Sequence, residues 1–267
     1  MTYGSSPVRG VDHVVVEAGD EHALFDLLTG TLGLPTAWPM AQWGLVHEAG
    51  VGLGNCNIGC NHPLDLNSDP RATVRAIAFE PAGTIAEVVE ELGRRGLSPS
   101  APMWSGPIAV PEQEAFEPWR RGWTTVLVIG GPRDPLPFVC AYEHDTAARR
   151  HDDKARLDAV HGGPLGITGL RAVIVHADDL HQEAEAWTAL VGSPLGDRPT
   201  AFEMMNGPEV RIESGTGPPA LLLGVRSMRT ALDALDSMGF GHEERSDHVR
   251  LEPAALMGLD IRLAPEL

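Results

Sequence analysis

No stretch of the chain reaches the roughly 18 consecutive apolar residues that a membrane-crossing helix requires. The N-terminus, Met1-Thr-Tyr-Gly-Ser-Ser-Pro-Val-Arg-Gly10, lacks the apolar core of a secretory leader. Cations are scarce: 20 Lys and Arg stand against 37 Asp and Glu, a formal net charge of -17. Such a field repels a phosphate backbone or an anionic bilayer, so nucleic acid and lipid surfaces are excluded as expected partners. Cysteine is scarce too. Cys56, Cys60 and Cys140 cannot make an even disulfide framework and suit a reducing compartment. The expectation is a cytoplasmic protein whose partner is a small-molecule ligand. Gly50-Val-Gly-Leu-Gly54 has the glycine density of a nucleotide loop but no helix after it, and spacing alone supports no Ser-His-Asp triad.

What is present is an ordinary globular composition, 43% hydrophobic and 21% charged, over 267 residues, enough for one large domain or two of usual size. One pattern recurs four times. Val11-Asp-His-Val-Val-Val16 is β-branched and reads as a strand. Asp20 then opens a helix whose apolar face is Leu24, Leu27, Leu28 and Leu32, closed by Gly33 and Pro35. Short strands follow around 44–47 and 51–58. The second pass runs from Val74-Arg-Ala-Ile-Ala-Phe79 to a helix opened by the capping pair Thr84 and Glu87, then to strands at 124–129 and 137–142. The third starts at Leu170-Arg-Ala-Val-Ile-Val175, with Asp179 and Gln182 opening a helix and strands near 201–204 and 210–213. The fourth starts at Ala220-Leu-Leu-Leu-Gly-Val225, with a helix from Ser227 to Gly239 and strands near 247–251 and 259–263. Residues 144–156 are polar and break at Gly162-Gly163-Pro164, which predicts a linker carrying at most a short surface helix. The expected division is 1–145, a linker at 146–165, and 166–267. The alternative is a helix integral to one domain.

Four β-α-β-β-β units in two pairs resemble the vicinal oxygen chelate superfamily, which includes glyoxalases, extradiol dioxygenases and bleomycin-resistance binders. The resemblance rests on Val11-Asp-His-Val-Val-Val16, Thr31-Leu-Gly-Leu-Pro35, Val51-Gly-Leu-Gly-Asn-Cys-Asn-Ile58, Gly166-Ile-Thr-Gly-Leu170 and the segment from Leu251 to Arg262. It implies an α+β fold of four βαβββ modules paired into two glyoxalase-like domains. Each domain would curl its sheet into a cup covered outside by helices. The cup would hold one divalent metal (Fe, Zn, Mn or Ni) and an oxygen-rich ligand.

On that resemblance His13 takes the ligand position of the first strand. Glycine stands in Asn57-Ile58-Gly59 where the family often carries a carboxylate, and the second unit's first-strand position falls on Ala76. Phe138, Cys140 and Tyr142 would face the cup; Glu143 serves only if the register slips by one. His47, Asn55, Asn57, Cys140, Tyr142 and Glu143 are the helpers within reach. His13 has three readings: metal ligand, proton-transfer or ligand-bonding group, and satisfied structural histidine. In the second half the corresponding positions fall on Arg171, Arg211, Ala220 and Arg262. Arginines there would cradle an anion, or pair with Glu213 and Asp260. Trp104, Trp119 and Trp123, with Phe116, lie in a Pro- and Gly-rich stretch at 99–123 that would either lid a ligand or pack on the core. Cys56, Cys60 and His62 mimic a metal motif, but on one strand the two thiols would stand about 13 Å apart, so buried small hydrophobes are expected.

The leading expectation is a glyoxalase-like lyase or dioxygenase acting on a small oxygenated molecule, aromatic ones included, with a metal held by His13, Glu143 and Asn57. The second is a metal-free binding or sequestering protein. The third is a metal-free isomerase or hydrolase using His13 and Tyr142 as acid and base. Edge strands of such cups also favour a homodimer.

Overall fold

The computed structural model describes residues 6–43, 46–62, 70–106, 122–143, 146–194, 196 and 198–266. The first half runs β1 (Val8–Glu17), α1 (Glu21–Asp26) with a π-helical continuation at Leu27–Thr31, β2 (Thr36–Trp43), β3 (Val46–Gly52), β4 (Asn57–Asn61), β5 (Thr73–Pro81), α2 (Ile85–Arg94), β6 (Ser98–Pro99), β7 (Met103–Ser105), β8 (Trp123–Ile129) and β9 (Leu136–Tyr142). After α3 (Thr146–Ala159) the second half runs β10 (Ile167–Ala177), α4 (Leu180–Val191), β11 (Ala201–Phe202), β12 (Glu209–Ser214), β13 (Ala220–Val225), α5 (Met228–Met238), β14 (His242–Glu244), β15 (Val249–Leu251) and β16 (Asp260–Pro265). Among the described residues no helix is long and apolar enough to cross a membrane.

The first sheet is ordered β2-β3-β4-β1-β5-β9-β8-β6, with β7 also on β8; the second is ordered β11-β12-β10-β13-β16-β15-β14. The pairing repeats the unit. The first strand of each unit lies parallel to its last, as in β1 with β4, β5 with β9, β10 with β12 and β13 with β16. The first strands of paired units meet antiparallel at the sheet centre, β1 against β5 and β10 against β13. The fold is therefore α+β with paired modules, as expected.

Local chemistry starts the helices where the sequence predicts. Thr84 and Glu87 form a reciprocal capping box on α2; the side chain of Asp179 accepts from the His181 and Gln182 amides; Ser227 caps α5, which ends at Gly239 in the left-handed conformation. Leu24, Leu28, Leu32, Val88, Leu92, Trp187, Leu190, Ala231 and Leu235 bury the helix faces in one core with Val14, Val16, Ile77, Phe79 and Val126 of the strands. That core runs through both halves, and the Phe79 and Trp187 rings meet at 6.2 Å between them.

Three features differ from the sequence reading. The strand expected over 51–58 breaks at Gly54, whose φ is +81°, so Cys56 lies in the turn and Cys60 on β4. β2 adds a strand that the sequence reading did not include; it holds Pro39, and as an edge strand it tolerates the missing donor. Residues 146–159, expected within a linker, form a 14-residue helix that buries Asp153 and Leu157.

The halves are stapled reciprocally. Asn55, in the β3–β4 turn, donates its side-chain amide to Leu170 O at 2.8 Å and accepts from Leu170 N at 2.9 Å. From the β11–β12 loop, Asn206 O accepts from Val11 N at 3.2 Å and Asn206 N donates to Arg9 O at 3.1 Å. Gly10 permits this approach: a Cβ there would stand 2.5 Å from Asn206 O. Gly10→Ala is expected to lower the unfolding free energy by about 1–3 kcal/mol through overpacking, measured by urea denaturation against a Gly30→Ala control, where a Cβ meets nothing.

Candidate functional site

β1 carries a bulge at its centre. Val11 pairs with Phe79 and His13 with Ala78, so Asp12 is the extra residue. Val11, Val14 and Val16 keep the core face while Asp12 and His13 come together on the other side. The inward face then follows strand alternation. It carries Ala78 and Glu80 on β5, Phe138, Cys140 and Tyr142 on β9, Asn57, Gly59 and Asn61 on β4, and Glu48 on β3.

Asp12 is 1% exposed. Its Oδ2 accepts from His13 Nδ1 at 2.6 Å and from the Tyr142 hydroxyl at 2.9 Å, and its Oδ1 accepts from Arg149 of α3. Burial pushes the Asp12 carboxyl up, but the Arg149 charge and the hydrogen bonds from His13 and Arg149 outweigh it and hold the group well below the usual carboxylate range. Burial and the Asp12 charge push the Tyr142 phenol well above its usual value, so it stays a donor. The Arg149 guanidinium also lies 4.7 Å over the Tyr142 ring. With Nδ1 donating to Asp12, neutral His13 presents a lone pair at Nε2.

The neighbouring network locks α3 against the sheet. Glu80, 1% exposed, accepts from Arg9 at 3.2 Å and from Arg150 at 3.0 Å. Arg150 also donates to Asn55 O and Val11 O, and Asn57 Nδ2 to Asp153 at 3.3 Å. The His13 ring meets Trp38 and Phe138 edge-on, at 5.9 and 5.6 Å. Trp38 lies over Gly50, where any side chain would collide with the indole. Burial pushes the Glu48 carboxyl up against the opposing pull of His13. The buried Oδ1 atoms of Asn57 and Asn61 have no hydrogen-bond partner among the described residues, which leaves two acceptors for a ligand or water.

The structure brings His13 and Tyr142 together through Asp12 and sets Asn57 on the same face. Other expected site residues lie apart. Glu143 is exposed beyond the end of β9. Asn55 is the staple described above, and His47 points to the opposite side of the sheet, where it bonds Glu21. Cys140 is buried, and burial keeps its thiol protonated, pushed above the ordinary range. Trp123 pairs with Tyr142 in register; Trp104, on β7, is 61% exposed. Residues 107–121 of the Trp-rich stretch, with Phe116 and Trp119, lie outside the described residues.

In the second half the bulge shifts the correspondence by one. Leu170 pairs with Leu223 and Ala172 with Leu222, so Arg171 matches Asp12 and Ala172 matches His13. Of the two readings of these arginines, anion cradle or internal pairing, the contacts seen are internal. Arg211 pairs with Glu209, and Arg262 with Glu213 at 3.0 Å and His176 at 3.2 Å; Arg171 donates to Pro265 O. Ala172, Ile174, Ala220, Leu222 and Ala264 form a small buried apolar cluster. Sequence reasoning missed Asp12, Trp38, Glu48 and Arg149. The Asp12-His13 adjacency was visible, but only the bulge turns both toward one side.

A divalent ion in the cup would need about three protein ligands. His13 has Asn57 opposite it on β4 and Ala78 opposite it on β5, with Phe138 next to Ala78 on β9, and the Arg149 cation lies against Asp12. Among the described residues, no three His, Cys, Asp or Glu side chains that include His13 bring their donor atoms together. Among the described residues, the side chains beside His13 do not make up a divalent centre.

The Asp12 carboxylate makes stability depend on acid pH. Unfolded, it takes up a proton near its ordinary value of 3.8; folded, it resists until far lower. Its contribution is therefore full above about pH 4 and is lost as pH falls below that. Asp12→Asn, which strands Arg149, is expected to cost about 3–5 kcal/mol at neutral pH. It should also flatten the fall in stability below about pH 4; urea titrations across pH read both.

No family model matches the sequence, and no curated protein does. Solved structures do match. A hypothetical protein from Staphylococcus aureus shares 10% identity at a TM-score of 0.64, over 97% of this chain and 100% of its own. The 2,3-dioxygenase LapB from Pseudomonas sp. KL28 shares 11% identity at 0.59, over 98% and 94%. The Mn(II)-bound glyoxalase from Novosphingobium aromaticivorans shares 15% identity at 0.57, over 98% and 83%. At such identities the likeness establishes architecture alone: the chain has the vicinal oxygen chelate fold in its paired-module form.

Proposed function

We propose that the chain is an enzyme that moves a proton on a small oxygenated molecule held in the first cup, with His13 as general base. The observation that carries this reading is the buried Asp12 carboxylate accepting from His13 Nδ1 at 2.6 Å. That bond leaves Nε2 as the acceptor and stabilises the imidazolium formed when the proton arrives. Arg149 keeps Asp12 ionised, so the carboxylate orients the base and does not take the proton itself. Tyr142, whose hydroxyl donates to the same Oδ2, fixes the carboxylate and is a positioning residue in this scheme. Trp38 and Phe138 wall the ring and suit a flat ligand, and the buried, unpartnered amide oxygens of Asn57 and Asn61 suit its hydroxyl groups.

Isomerase or hydrolase chemistry is thus favoured over a metal-centred lyase or dioxygenase reaction in the cup, because among the described residues His13 gathers no set of His, Cys, Asp or Glu co-ligands. The cup would work in the cytoplasm on a freely diffusing substrate, as the composition suggests.

The test is solvent-deuterium incorporation, followed by NMR, across a panel of small carbonyl and phenolic compounds. Turnover should persist in chelator and fall about 10²–10⁴-fold in His13→Gln. Activity that chelator abolishes and a divalent ion restores would overturn the scheme in favour of a metal enzyme. A compound bound tightly and recovered unchanged, with no exchange anywhere in the panel, would instead mark a binding protein.

A further inference from the structure

We propose that Glu21, His22 and His47 form a binding site for one borderline divalent metal ion of the Zn2+ class, on the side of the first sheet opposite the His13 cup. Among the described residues their donor atoms lie within 4.8 Å of one another. Strand alternation separates this site from the cup. On β3, Ala49 and Val51 are buried with the helices, and His47 shares their parity; Glu48, between them, faces inward. The start of α1 supplies Glu21 and His22, the start of β3 supplies His47, and the residue after β4 supplies His62.

The cluster is already organised. Glu21, 7% exposed, receives His47 Nδ1 on Oε1 at 2.7 Å and His62 Nδ1 on Oε2 at 2.9 Å. Among the described residues its ion-pair partners are the imidazoles of His47 and His62, and no arginine or lysine neutralises the carboxylate. The His22 and His47 rings stand 5.0 Å apart, and His62 N donates to His47 O at 3.0 Å, which ties β3 to the end of β4.

Two imidazoles and a carboxylate with no thiolate suit Zn2+, Ni2+ or Cu2+ over Mg2+ or Ca2+, which prefer all-oxygen shells. Tetrahedral bonds of about 2.0–2.1 Å set donors roughly 3.4 Å apart, so closure needs side-chain shifts on the order of 1 Å. Exposed His22 and partly exposed His47 have that freedom. His62, bonded to the second oxygen of Glu21, is a positioning residue.

The experiment is a Zn2+ titration of the tag-free, chelator-stripped full chain against a chromophoric competitor, with Co2+ absorption as a second readout of geometry. One ion per chain is expected. Affinity should fall about 100-fold or more in His22→Ala and in His47→Ala, about tenfold in His62→Ala, and not at all in His13→Ala. His22 is exposed, so its variant keeps the fold and the test stands even if His47→Ala is unstable. Absence of saturable binding would overturn the proposal. So would stoichiometric binding that His22→Ala leaves intact, or that His13→Ala removes. Because the ion site lies across the sheet from His13, it and the proton transfer proposed for the cup stand or fall separately.

Discussion

The Asp12 carboxylate is the point on which the first half converges. A bulge in the central strand turns it inward, where it meets an imidazole from its own strand, a phenol from β9 and a guanidinium from α3. A charge so completely buried survives only when paired and hydrogen-bonded. Satisfying it therefore fixes three elements at once, and the His13 tautomer follows from the same bonds. The helix between the halves is held by the same chemistry. Arg149 and Arg150 carry it to Asp12 and Glu80, and Asn206 of the second half donates to Glu80 at 3.4 Å.

The two halves share pairing and differ in what their sheets present inward. The site that bears Asp12 and His13 in one bears Arg171 and Ala172 in the other. In the second half, aliphatic side chains and the pairs Arg250–Asp260 and Arg262–Glu213 occupy the corresponding surface. It meets the first half through the Asn55 and Asn206 staples.

Much of the scaffold was legible in the sequence because its signals are local. Thr84 with Glu87, Asp179 with Gln182, and Ser227 before Gly239 act within a few residues of chain, and each marks the helix end it predicts. The site was less legible because its geometry depends on register. One extra residue at Asp12 puts Ala78 opposite His13, whereas the second unit's ligand position had been read as Ala76, and the matching bulge puts Ala172, not Arg171, at the position that matches His13. The turn at Gly54 ends β3 before the asparagines, and the parity of β3 sends His47 away from the cup toward Glu21. Arg149 is 137 residues from Asp12 in sequence, and a polar helix gives no sign of its distant partner.

Metal content and cup chemistry are separable in this molecule, since the imidazole-rich cluster and His13 lie on opposite faces of one sheet. What decides the cup is which nitrogen of His13 carries the proton. Two-bond 15N–1H correlation spectra of the histidine-labelled chain, with His13 assigned by its loss in His13→Gln, read that directly. The Asp12 contact requires the Nδ1–H tautomer, with a strongly downfield Hδ1 that moves upfield in Asp12→Asn. A His13 found as the Nε2–H tautomer, or one whose resonances ignore the Asp12 substitution, would contradict the assignment of His13 as an oriented base.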